Sequence, residues 1–146
     1  MLFESITQAA ETESPVWGSA LRAVPDAEPV FSPLVPAELA VGIETVYEAY
    51  LVHYGRPRLF DATDADDAVL LGDYLYAHGL VRIAEAGGVP AVAVLADLIA
   101  TCAALRAGGA AGDGEAWVAA ARALGGSFSP DEEQRALALH SSRLAP

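Results

Sequence analysis

The sequence predicts an all-α protein built as an antiparallel helical bundle, and three observations carry that expectation. Alanine fills 31 of the 146 positions and every basic residue is arginine, a composition rich in strong helix formers. Apolar residues recur at three- and four-residue steps through the longer segments. No stretch sustains strict apolar/polar alternation, and the joints are short glycine pairs, which suit helical hairpins better than strand turns.

Taken in order, a short helix is expected over about 2–12, with Leu2, Phe3, Ile6 and Ala9 or Ala10 as its apolar stripe. Five prolines follow between residues 13 and 36 (Pro15, Pro25, Pro29, Pro33 and Pro36). Each removes a backbone donor and biases its predecessor away from the helical region, so this stretch reads as an extended connector. The chain therefore divides into 1–35, a short N-terminal helix with a Pro-rich connector, and 36–146, a helical bundle domain. Pro36 suits a first helical position. From it a periodic segment runs to about residue 54 through Leu39, Ile43, Val46, Tyr50 and His53, and Gly55 and Pro57 stop it.

The next helix, near 64–86, opens among Asp61, Asp64, Asp66 and Asp67 and is ended by Gly87 and Gly88. Another is expected from Pro90 to about Arg106, closed by Gly108 and Gly109. Two shorter ones follow near 114–124 and 130–143. Ser129 as cap, Pro130 at the first position and Asp131, Glu132 and Glu133 in the first turn form a helix-start signature. Short joints leave the three central helices little choice but to pack antiparallel.

With 20 acidic residues against 8 basic ones and a net charge of −12, the chain lacks the clustered cations that a nucleic-acid surface needs. Acidic membrane surfaces are equally poor partners. The most apolar stretch, 89–105, contains Asp97 and falls short of the roughly 20 residues that span a bilayer, so no membrane span is expected. The first fourteen residues have no basic leader and are interrupted by Glu4, unlike a secretory signal. Cys102, the only cysteine, allows no internal disulfide and fits a reducing compartment. The expected location is cytoplasmic.

Few residues offer chemistry of their own. The acidic run Asp61, Asp64, Asp66 and Asp67 could bind a hard cation such as Mg²⁺, which prefers carboxylate oxygens, with Asp61, Asp64 and Asp67 as the candidate ligands. Acids also crowd a helix's first turn because they complement its free N–H groups, with Thr63 or Asp64 as cap, and that reading is preferred. His53, His78 and His140 fall on separate helices and form no i, i+4 ligand pair, so no zinc site is expected. Cys102 sits on the apolar face of an Ala-rich helix as an inert buried thiol. Serine elbows and phosphate-cradling glycine loops are absent.

At 43–53, Ile-Glu-Thr-Val-Tyr-Glu-Ala-Tyr-Leu-Val-His resembles the IELIHTASLIH helix of trans-polyprenyl diphosphate synthases. In that family the histidine is followed by Asp-Asp-x-x-Asp and then by Arg-Arg-Gly-x-Pro. Here Tyr54 follows His53 and the chain passes at once to Gly55-Arg56-Pro57, similar to the Gly-x-Pro of that second motif. Ala68-Val69-Leu70-Leu71-Gly72-Asp73-Tyr74-Leu75 is then similar to the family's AVLxGDxLL helix, at the family's 17-residue spacing from Gly55 to Gly72. The resemblance covers roughly 37–109 and omits the dozen or so residues that carry the first aspartate motif. No Asp-Asp-x-x-Asp occurs anywhere in the chain.

The resemblance implies a partial isoprenoid-synthase-like fold without the metal clusters that neutralise a leaving diphosphate. The expectation is therefore a non-catalytic protein acting by association, the small or regulatory subunit of a polyprenyl diphosphate synthase, akin to the non-catalytic component of two-component heptaprenyl diphosphate synthases. Arg56 and Arg58 are its candidate phosphate or partner contacts. The 68–83 and 89–105 segments are apolar over more than the stripe one covered side needs. This points to a homodimer or to a heteromer with a helical, prenyl-synthase-like protein, with Leu75, Leu80, Leu95 and Ile99 as contact residues. No cofactor is expected under this reading. Two alternatives stay open: a minimal Mg²⁺-dependent enzyme acting on a diphosphate through Asp61, Asp64, Asp67 and Asp73, and a helical binding module for an apolar ligand unrelated to isoprenoids.

Overall fold

The structure is a computed structural model and describes residues 2–144. Six helices follow one another: α1 Leu2–Glu13, α2 Pro15–Ser19, α3 Ala40–Tyr54, α4 Ala65–Gly108, α5 Asp113–Ala123 and α6 Pro130–Leu144. Two 3-10 turns, Ser32–Leu34 and Ala37–Leu39, lead into α3. No strand occurs among the described residues; Leu21 and Phe60 form an isolated antiparallel bridge.

The middle of the molecule is α3. Every residue from 42 to 51 is buried, including Glu44 and Glu48, so this helix is surrounded on all sides as a helix apolar nearly all round must be. Its closest neighbour is α4, and glycines allow the approach: a Cβ at Gly42 would lie 2.6 Å from Ile83 Cδ1, and one at Gly79 would lie 2.6 Å from Val46 Cγ2. The two contacts advance in opposite directions along the chain, which makes α3 antiparallel to the first half of α4. A second cluster joins Ile6 and Ala10 of α1 to Ala49, Leu59, Phe60, Leu71 and Leu75.

One feature of the sequence reading is kept and two differ. The segments 64–86 and 90–107 fall where the sequence places them, as two halves of α4 (Ala65–Gly108) broken at Gly88, and the second half turns back along the first: Cys102 lies close enough to Tyr76 to raise its pKa, a proximity that a straight helix rising about 1.5 Å per residue would not allow. Gly88 takes φ 72°, ψ −173°, a conformation that costs glycine little and an L side chain much. Pro90, two residues on, lacks the N–H to continue the ladder smoothly. The proline-rich stretch is not simply extended. Ser14 Oγ accepts from Val16 N at 3.1 Å to start α2, and Val30, Phe31 and Leu34 are buried in the core around α3. Finally, Pro36 precedes a 3-10 turn, and α3 begins at Ala40.

Candidate functional site

At the end of α3 the chain passes Gly55 and turns back along the helix it has just left, which sends the Arg58 side chain inward. Glu44 and Glu48, one helical turn apart, receive it. Arg58 Nε donates to Glu48 Oε1 at 3.0 Å and Nη1 to Glu44 Oε1 at 2.5 Å. Nη1 also donates to the Glu28 carbonyl at 2.9 Å and Nη2 to the Glu44 carbonyl at 3.2 Å. Glu48 Oε2 accepts from the backbone N–H groups of Arg58 and Leu59, and Glu44 Oε2 from those of Val30 and Ser32. The guanidinium lies 5.0 Å from the Phe3 ring centre and 5.1 Å from that of Tyr47. Burial alone would lower the Arg58 pKa, and the two carboxylates more than offset it, leaving it raised.

Arg58 is therefore corrected. It is fully buried, its donors are occupied by its own chain, and it is neither a phosphate contact nor a partner contact. Its role is to fasten the 28–32 segment and the 55–60 loop to α3. Arg56, two residues earlier, stays exposed; its guanidinium donates to the Ser142 carbonyl of α6.

The acidic run is a helix start. Asp64 Oδ1 accepts from the N–H groups of Asp66 at 2.8 Å and Asp67 at 3.0 Å. Asp61, Asp64 and Asp67 border one shallow depression with Ser19 and Thr63, but among the described residues no three His, Cys, Asp or Glu side chains are grouped so as to hold a metal. Asp73 lies apart, 3.5 Å from His53 Nε2. The four carboxylates that a minimal enzyme would need do not converge.

A polar cluster that the sequence reading missed joins α3, α5 and α6. The Tyr47 hydroxyl pairs with His140 Nδ1 at 2.8 Å, and the Tyr50 hydroxyl donates to Asp113 Oδ2. Arg106, in the last turn of α4, donates through Nη2 to Asp113 Oδ1 at 3.0 Å. Phe31, Trp117 and the two tyrosines pack around this cluster, with Phe31 stacked on Trp117 at 5.2 Å. Burial raises both tyrosine pKa values, and burial first, then Asp113, pushes the Cys102 thiol up to about 12, so Cys102 is inert at neutral pH.

Burial also holds His140 below its ordinary 6.5, with Arg106 adding to the effect against Asp113 and Glu115. Burial and then Arg82, whose Nε donates to His78 Nε2 at 2.9 Å, lower His78 in the same direction. A histidine whose folded pKa is depressed binds its proton more readily in the unfolded chain. Its stabilisation is complete above about pH 6.5 and is lost as the pH falls through the folded value. Urea midpoints are expected to decline as the pH drops from about 6.5 towards 5, and less steeply in His140→Asn. Equal slopes for the two proteins would contradict this placement of His140.

The proposed contact residues on α4 divide. Leu75 and Leu95 are buried against the protein's own core, so they are not available as an interface. Leu80 and Ile99 are half-buried and packed on the same core. Left uncovered along the two halves of α4 are Leu70, 58% exposed, Val69 and Val81, both 53%, and Val89, 79%, among exposed Ala77, Ala84, Ala93, Ala96, Ala100 and Ala104 and the exposed acids Asp73, Glu85 and Asp97. An 18-residue window of α4 has a mean hydropathy of 2.0 and is only 22% buried, and by length and composition this helix could cross a membrane. Because α4 is apolar on several sides, periodicity could not say which faces inward; the seven-residue step from Gly72 to Gly79, where α3 comes close, is the signal that does.

No family model, no curated protein and no solved structure matches this chain. What the protein can do is read from its own geometry. The Glu44, Glu48 and Arg58 network and the Tyr47, His140, Tyr50 and Asp113 cluster are internal fastenings with their polar groups largely paired. The uncovered apolar side of α4 has no such internal explanation.

Proposed function

We propose that this is a non-catalytic helical protein that works by association, with the uncovered side of α4 laid against a helical, prenyl-synthase-like catalytic chain. It would then be the small or regulatory subunit of a polyprenyl diphosphate synthase, its own fold a partial isoprenoid-synthase-like antiparallel bundle. The single observation that carries association is the exposure of Leu70, Val81 and Val89 on α4. Contiguous apolar patches beyond a few hundred Å² usually mark an interface. A net charge of −12 sets two copies of this chain against each other, which favours a different partner over a second copy.

The isoprenoid part of the reading rests on the resemblance over 37–109. In keeping with it, His53 at the end of α3 packs directly on Gly72, so the two matching stretches lie side by side. A cytoplasmic location goes with a reduced, buried Cys102. No cofactor of the chain's own enters this function.

Given Mg²⁺ with isopentenyl and allylic diphosphates, the isolated chain is expected to form no product. Co-expressed with a full-length prenyl diphosphate synthase chain of the same organism, it is expected to change the length distribution or amount of that enzyme's product. Turnover by the isolated chain that disappears in Asp67→Ala would instead establish the minimal Mg²⁺-dependent enzyme.

A further inference from the structure

Three of the chain's eight cationic side chains, Arg22, Arg56 and Arg143, line one pocket of about 430 Å³. They come from three separate segments: the loop after α2, the 55–62 loop and the last turn of α6. In a protein of net charge −12 such convergence is unexpected unless each arginine answers a local acid. Only Arg143 does so, pairing with Asp26. Neither Arg22 nor Arg56 has a carboxylate partner among the described residues.

Backbone carbonyls hold the two unpaired guanidiniums instead. Arg22 Nη1 donates to Pro57 O at 3.3 Å, and Arg56 Nη2 donates to Ser142 O. A carbonyl uses one N–H and fixes the orientation of the group, but leaves the charge uncompensated and the remaining donors of the fork free. The frame beneath is equally fixed. Arg22 N donates to Leu59 O at 2.9 Å, Asp26 N to Arg58 O at 3.0 Å, Asp61 N to Ala20 O at 2.7 Å and Arg56 N to Arg143 O at 2.9 Å. The 55–60 loop is in turn fastened to α3 by the buried Arg58 network. Binding here would therefore require little further ordering, which is the condition under which a few charge-assisted hydrogen bonds give useful affinity.

We propose that this pocket binds a phosphate-class oxyanion, a phosphate ester or a diphosphate, with Arg22 and Arg56 as its primary donors. Arg143 becomes the third donor when the anion displaces Asp26, whose carboxylate is 59% exposed and free to swing into solvent. Asp61, also on the lining, bounds the charge that the pocket tolerates. The volume exceeds the inorganic ion, and the organic remainder would lie along Val52 and Phe60. The proposal is independent of the association reading, and Arg22 and Arg143 lie outside the stretch that resembles prenyl synthases.

Calorimetric titration of the full chain with sodium pyrophosphate at low ionic strength tests it, with sodium acetate as the control anion. Saturable binding of pyrophosphate and none of acetate is expected. Arg22→Ala and Arg56→Ala should each weaken it about tenfold, the loss of one hydrogen bond to a charged group, and Asp26→Asn should tighten it. Both arginines are exposed, so unchanged melting curves will confirm that the variants fold. Vesicles of phosphatidylcholine with and without phosphatidic acid identify the source of the phosphate. Pyrophosphate binding alone means a free phosphorylated compound, and additional binding to phosphatidic acid means a headgroup. No saturable pyrophosphate binding in the low-millimolar range, or equal binding by wild type and the Arg22→Ala/Arg56→Ala double variant, would overturn the proposal.

Discussion

Replacing Arg58 with methionine is expected to destabilise the protein by about 3–5 kcal/mol, the cost of removing one partner from a buried ion pair and leaving uncompensated charge. Two carboxylates, Glu44 and Glu48, would remain buried with their backbone donors and no cation. Against a typical total of about 5–15 kcal/mol, that loss unfolds a large part of the population in mild denaturant. The triple variant Glu44→Gln/Glu48→Gln/Arg58→Met should recover part of it, because neutral amides do not need a cation, although each changes the hydrogen bonds offered to Val30, Ser32 and Leu59. Urea unfolding of the single and triple variants decides the matter. A loss below about 1 kcal/mol in Arg58→Met, the range of exposed ion pairs, would mean that the network is not a buried one.

Truncating Trp117 to alanine is the second large effect, again about 3–5 kcal/mol. Its ring stacks on Phe31 with an interplanar angle of 9° and meets Tyr47 and Tyr50 edge-on, at centroid distances of 5.1 and 5.9 Å. Deleting it opens a cavity between α5, α3 and the turn that follows Phe31, and those neighbours are themselves pinned through His140 and Asp113, so they cannot collapse into the space. Trp117→Phe should cost much less, because the indole N–H is buried without a hydrogen-bond partner among the described residues and phenylalanine removes that unsatisfied donor along with part of the packing. Amide exchange in Trp117→Ala is expected to rise in α5 and around residues 30–34 together. Exchange raised in α5 alone would show that the Phe31 stack does not tie these segments.

What could be read from the sequence was what is local. The α6 start is an example: Ser129 Oγ accepts from Glu132 N at 3.2 Å while Glu132 Oε1 accepts from Ser129 N at 3.0 Å, a reciprocal cap encoded within four residues. The Asp64 cap of α4 is another. The break at Gly88 is a third, legible as a pair of glycines beside Pro90, and the positive φ that glycine supplies there is a property of those few residues.

Long-range pairing was not legible. Arg58 follows Pro57 in a loop that reads as solvated, and nothing in its neighbourhood signals that the loop folds back on α3. The nearest hint lay elsewhere, in Glu44 and Glu48 placed one turn apart on a helix otherwise apolar all round, which require a buried cation from some other segment. The same limit hid the Tyr47–His140 and Tyr50–Asp113 pairs, separated by 93 and 63 residues. The arginine pocket likewise draws on both ends of the chain, so Arg56 could be singled out as a phosphate contact but Arg22 and Arg143 could not.

Association through α4 is tested most directly by light scattering after size exclusion, at low micromolar concentration, of the chain mixed with the prenyl diphosphate synthase chain of the same organism. The variant for comparison is Leu70→Asp/Val81→Asp, which alters only exposed side chains and should fold normally by circular dichroism. Wild type is expected to elute with that chain at the summed mass, and the variant to elute separately from it. A wild type that stays monomeric beside the catalytic chain, or a variant that forms the complex as well as wild type does, would contradict it.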